Sequence, residues 1–91
     1  MSSGTPVTLK VKHLSPTSLT RFHYSISKRK LPRAVDRNLA KRRARAVISK
    51  LSQRLKPGFE VTLFLEPALI TLPFDEVESE IVFLLEKARI L

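Results

Sequence analysis

The side chains best placed to do chemistry in this sequence are cations at helical spacing, and the chemistry open to them is the binding of anions. Arg37, Lys41 and Arg45 step by four, and Arg42 and Arg45 by three, so they line adjacent rows of one helix; Arg43, Lys50 and Arg54 fall on its other flank. The excess is local. Residues 28–56 hold twelve lysines and arginines against Asp36 alone, a net +11, whereas residues 1–27 carry +3 and residues 57–91 carry −5. Like charges at neighbouring helical positions cost about 0.2–0.5 kcal/mol per pair, so the cluster weakens the free chain and a bound polyanion would relieve it. Most charge runs are solvated faces, but the near absence of interleaved acid points to a polyanionic partner.

Other chemistry is sparse. His13 and His23 are the only histidines, and neither stands at a triad or metal-site spacing from an acid or nucleophile. Asp75, Glu76, Glu78 and Glu80 read as helix-start and solvated acids, not a metal cluster. With only Gly4 and Gly58 there is no glycine-rich phosphate loop. No catalytic residue and no metal site is assigned, which favours binding over autonomous catalysis.

The cations need a helix to hold them. Ala40, Ala44, Val47, Ile48, Leu51 and Leu55 recur at spacings of three and four, the apolar stripe of an amphipathic helix running from Ala34 to Leu55. Before it, Val7 to Lys12 alternates as a half-buried strand. Ser15-Pro16-Thr17-Ser18 is a turn cluster, and Phe22, Tyr24 and Ile26 alternate with Arg21, His23 and Ser25 in a second strand, which suggests an antiparallel pair. Lys28, Arg29 and Lys30 stand at the helix entrance, where Pro32 keeps Leu31 extended. Pro57-Gly58 stops the helix, Phe59 to Leu65 forms a third strand, and Pro73 introduces a last helix with Phe74, Val77, Ile81, Leu84, Leu85 and Ala88 on one stripe. The order strand, strand, helix, strand, helix predicts an α+β fold, a two-layer sandwich of a three- to four-stranded sheet and two helices.

Both helical stripes suit the sheet face bearing Val7, Leu9, Val11, Phe22, Tyr24, Ile26, Val61 and Leu63. The opposite face, with Lys10, Lys12, Arg21 and His23 around Phe64, is then open and suits a single strand of nucleic acid, cations for its backbone and a ring for stacking. The alternative is that Leu69-Ile70 or a partner covers Phe64.

Ninety-one residues with 43% hydrophobic content make one small domain, 1–91, with one core. The absence of cysteine excludes a disulfide framework and thiolate metal sites. Met1-Ser2-Ser3-Gly4 has no signal-peptide pattern and no apolar run reaches the length of a membrane span, so a cytoplasmic location is expected. A pI near 10.7 makes nucleic acid the first partner to consider. An anionic membrane comes second, disfavoured because the basic helix offers no large exposed apolar residues to insert.

Ser27-Lys28-Arg29, followed by Arg33-Ala34-Val35-Asp36-Arg37-Asn38-Leu39-Ala40-Lys41-Arg42-Arg43, resembles the signature of the protein subunit of bacterial ribonuclease P. The strand Arg21 to Ser27, the turn Lys56-Pro57-Gly58 with the strand after it, and the closing helix Phe74 to Leu85 agree with the family in order and setting. The resemblance implies a left-handed βαβ crossover. It also implies an accessory role, in which the RNA subunit cuts precursor tRNA at the mature 5′ end, using Mg2+, and the protein binds that RNA and the 5′ leader without cleaving anything itself. Lys28, Arg29, Arg33, Arg37, Asn38, Lys41, Arg42, Arg43 and Arg45 would then meet the catalytic RNA, arginine forks on phosphates and Asn38 on sugar or base edges. Lys10, Lys12, Arg21, His23 and Phe64 would meet the leader. The expected partners are the ribonuclease P RNA and precursor tRNA, with no DNA, no membrane and no cofactor held by the protein alone.

Some positions depart from the family pattern. Leu39 stands where the second arginine of an Arg-Asn-Arg motif is usual, which removes one expected RNA contact, and Arg43 one turn on is the candidate to substitute for it. Lys12 replaces a frequent aromatic and Glu66 a cation beside the leader cleft. The chain is expected to lack the basic first helix with which relatives usually open. A stand-alone basic RNA-binding module with no part in tRNA processing is the competing reading.

Overall fold

The computed structural model describes residues 6–91, so the opening stretch Met1 to Gly4, read above for a signal peptide, lies outside the described residues. Strand β1 (Val7–His13) is followed by β2 (Arg21–Ile26), helix α1 (Ala34–Leu51) with a 3-10 turn at Ser52–Arg54, strand β3 (Phe59–Leu65), the single-turn helix α2 (Ala68–Thr71) and helix α3 (Phe74–Lys87). The α+β class and its two layers are as the alternation and the helical stripes dictate. The 34–55 helix is shorter than its apolar spacing suggests. Its last turn tightens to 3-10, although Leu55 still packs against the core.

The pairing of β1 with β2 is corrected by the structure. The sheet order is β1-β3-β2, with β3 antiparallel to β1 and parallel to β2. Residues 14–20 make a seven-residue connection, long for a tight hairpin, and they span the width of the intervening strand. They do so by wrapping the turn ahead of β3: the Leu14 amide donates to the Gly58 carbonyl at 2.8 Å, the Gly58 amide to the Ser18 carbonyl at 2.8 Å, and the Thr20 hydroxyl to the Lys56 carbonyl. Gly58 has φ +95°, and a Cβ there would stand 3.3 Å from Pro16 Cα and 3.4 Å from the Ser15 carbonyl oxygen. Gly58→Ala therefore meets both a backbone penalty of about 1–2 kcal/mol and a crowded loop; urea denaturation should register at least that loss.

Strand β3 lies at the centre of the sheet and is its most buried strand, with Val61, Leu63 and Leu65 directed into the core. That core joins Ala40, Ala44, Val47, Ile48 and Leu51 of α1 to Val77, Ile81 and Leu85 of α3, so both long helices cover one sheet face. The edge strands contribute the partly buried Leu9, Val11, Phe22, Tyr24 and Ile26. Helix α2 is an addition to the two helices expected, and its Leu69 is fully buried in the core. The end of the chain also returns to the core. Arg89 adopts φ 64°, a left-handed helix stop, after which Ile90 is buried and its carbonyl accepts from the Lys56 amide at 2.8 Å.

Candidate nucleic-acid interface

Helix α1 divides its cations by flank, and the division follows what each flank faces. The flank toward α3 is tied up in the fold. Arg43 Nη1 donates to the Leu69 carbonyl at 3.2 Å and the Leu72 carbonyl at 2.9 Å, holding α2 and the segment before α3. Lys50 pairs with Glu78 at 3.0 Å and lies 5.9 Å from the centroid of the Phe74 ring. Arg43→Ala should accordingly cost about 1–3 kcal/mol of stability, since two carbonyls lose a charged donor. Arg42→Ala should stay within about 0.5 kcal/mol, and thermal melts of the two variants make the comparison.

The other flank lies over the β2 edge of the sheet. Arg45 places its guanidinium carbon 5.7 Å from the centroid of the Tyr24 ring, a cation–π contact that fixes this face of the helix against β2. Burial raises the Tyr24 pKa and the Arg45 charge opposes that rise, so the phenol stays neutral at physiological pH. Arg33, Lys41, Arg42 and Arg45 have no carboxylate partner among the described residues, where the ion pairs are His23–Glu60, Lys30–Glu66 and Lys50–Glu78. Asn38 is exposed among them. Arg37 is partly engaged: its Nη1 donates to the Leu31 carbonyl at 2.9 Å and the Pro32 carbonyl at 2.8 Å, which fixes the loop at the helix start. The rest of its donor fork has no partner among the described residues.

That loop presents Lys28 and Arg29 beside the N-terminus of α1. Ser27 organises it, its carbonyl accepting from Leu31 at 2.9 Å and its hydroxyl from the Arg29 amide at 3.2 Å and the Lys30 amide at 3.4 Å. Lys30 turns away to Glu66 at 2.8 Å, so the acid that departs from the family pattern after β3 neutralises a cation of the loop.

The second cluster lies on the uncovered sheet face, where the register sets out three rows. Thr8, Phe64 and Ser25 make one, Lys10, Thr62 and His23 the next, and Lys12, Glu60 and Arg21 the third. Phe64 is 36% exposed, while of the Leu69-Ile70 pair Leu69 is buried in the core and Ile70 packs partly against it. Glu60 stands between Lys12 and Arg21 and holds His23 Nε2 at 2.8 Å, so this face is less positive than its cations alone suggest. The partners of Arg43, Glu60 and Glu66 are invisible to spacing rules because each joins residues at least 26 positions apart.

This geometry, cations flanking a βαβ unit with an open sheet face, has counterparts among known proteins. The family model described as Ribonuclease P matches residues 2–89. The Ribonuclease P protein component of Acholeplasma laidlawii is 34% identical over 82 residues, 89% of this chain and 71% of that protein. The corresponding component of Pseudanabaena is 31% identical over 88 residues, 97% of this chain and 76% of that one. In fold, a Staphylococcus aureus RNase P protein, a mutant with defective mRNA degradation activity, superposes with a TM-score of 0.82 at 17% identity, covering 99% of this chain and 75% of that one. The Thermotoga maritima RNase P protein follows with a TM-score of 0.79 at 18% identity, covering 94% and 80%.

Proposed function

The chain belongs to the ribonuclease P protein family, and from that premise we propose that it is the protein subunit of a ribonuclease P ribonucleoprotein, binding the catalytic RNA and the 5′ leader of precursor tRNA. The observation that carries this reading is the sorting of cations on α1. The flank facing α3 is consumed by carbonyls and a carboxylate, while Arg33, Lys41, Arg42 and Arg45, before the helix and on its rows away from α3, have no acidic partner among the described residues. Such a row costs folding energy through mutual repulsion and is suited to the evenly spaced phosphates of RNA. Lys28 and Arg29 extend it beyond the helix start, and Asn38 supplies a group that can both donate to and accept from sugar or base edges. The uncovered sheet face is the counterpart for the leader, with Phe64 as a stacking platform and Lys10, Lys12, Arg21 and His23 around it. In this reading cleavage belongs to the RNA and its Mg2+, and the protein's cations supplement the metal in neutralising packed phosphates.

The test is reconstitution with the cognate RNA over a magnesium titration, using precursor tRNAs whose leaders increase in length. Cleavage at low magnesium should rise on adding the protein, and longer leaders should bind more tightly to the holoenzyme. Phe64→Ala should remove roughly 1–3 kcal/mol of that leader-dependent gain, the value of one stacked base, and leave mature-tRNA affinity alone. Equal cleavage with and without protein at every magnesium concentration would overturn the assignment. Leader-independent affinity of the unaltered holoenzyme would remove the leader from it.

A further inference from the structure

Where the β2-side flank of α1 runs out, the surface opens into an apolar groove of about 290 Å³, bounded by Leu19, Phe22, Ile48, Ser52, Leu55 and Lys56 among others. Leu19 stands at its rim 82% exposed, and with Phe22, Ile48 and Leu55 it makes the lining predominantly apolar. We infer that this groove receives a single unstacked nucleobase of the RNA that docks on α1, an inference that rests on the proposed reading of that helix.

Three features of the groove favour a base over other occupants. Its volume is small, at the lower end of ligand pockets, and fits one ring system rather than an extended chain. Its walls supply an aromatic side chain, Phe22, with the aliphatic Leu19, Ile48 and Leu55, the kind of lining with which proteins hold bases splayed out of single-stranded RNA. It is also continuous with the cationic flank. Ile48, in its wall, is one turn beyond Arg45 on α1, and Lys56 closes the far side with its ammonium unpaired by any acid among the described residues. A nucleotide whose base enters the groove would keep its phosphate within the field of Arg45 or Lys56, so the backbone need not leave the row of cations. The Ser52 hydroxyl is the polar group at hand for a base edge, and the Thr20 hydroxyl, whose proton goes to the Lys56 carbonyl, can add only an acceptor.

Because the sequence contains no cysteine, single thiols can be placed without background. Leu19→Cys at the groove rim and Ser49→Cys on the exposed side of α1 would each carry an azidophenacyl photocrosslinker in the full chain bound to ribonuclease P RNA. The expected result is a crosslink from position 49 to the RNA and one from position 19 to a nucleotide unpaired in the RNA secondary structure. Ser52→Phe, which fills the groove from an exposed position, should weaken RNA binding about tenfold, within the range for losing one stacked base, with an unchanged salt slope. Crosslinking from position 49 but not from 19, or from 19 only to base-paired nucleotides, overturns the base-binding groove and leaves the α1 reading standing. Failure at both positions overturns the docking of RNA on α1 itself.

Discussion

Replacing Lys41, Arg42 and Arg45 together by alanine will weaken RNA binding by about two orders of magnitude at 0.1 M salt and flatten its salt dependence by about 2–3 in log–log slope, three contacts' worth of released counterions. The size follows from where these side chains stand. They lie on adjoining rows of α1 away from α3, and no carboxylate among the described residues competes for them. The fold should survive, because among the described residues two of the three make no hydrogen bond or ion pair and the third contributes one cation–π contact to Tyr24, worth about 0.5–1 kcal/mol at such an exposed site. Filter binding or fluorescence anisotropy over a salt series measures the slope, and circular dichroism checks the fold. Arg43→Ala is the contrasting variant: its guanidinium is spent on the Leu69 and Leu72 carbonyls, so its main effect should fall on stability, with the salt slope little changed. An unaltered slope in the triple variant would remove phosphate contact from this flank altogether.

Leu63→Ala should be the most damaging single change to the fold. Leu63 lies at the middle of the central strand, fully buried and facing the helices. Truncating a buried leucine costs about 2–5 kcal/mol through lost transfer energy and the cavity left behind. A domain of this size has total stability of only about 5–15 kcal/mol, so a substantial unfolded fraction is expected near 37 °C. Urea or thermal denaturation gives the loss directly. Its signature in RNA binding differs from that of the charge variant: the active fraction falls while the salt slope of the folded remainder is unchanged. A loss below about 1 kcal/mol would mean that the helices do not close over β3 as described.

The alternation of Val7 to Lys12, Arg21 to Ile26 and Phe59 to Leu65, and the stripes of the two long helices, were enough to place every strand, because burial on one side imposes period two on a strand and 3.6 on a helix. The Ala-Val-Asp-Arg-Asn stretch with its lysines and arginines marked the family, and the same alternation separated the open sheet face from the covered one. What local pattern does not encode is which strand lies beside which. The antiparallel pair suggested by β1 and β2 gave way to β3 between them, with residues 14–20 long enough to step across that strand, and the βαβ unit implied by the resemblance agrees with β2 lying parallel to β3. Helix α2 escaped notice because one turn is too short to show a period, and Leu69 is in the core through tertiary contact alone. The roles of the cations were decided in the same way. Along the sequence Arg42 and Arg43 are equivalent charges, but a residue advances 100° around a helix, so Arg42 points to solvent while Arg43 reaches the carbonyls of Leu69 and Leu72. Charge content is written in the sequence; which charges remain free for an RNA depends on the acids and carbonyls that folding brings beside them.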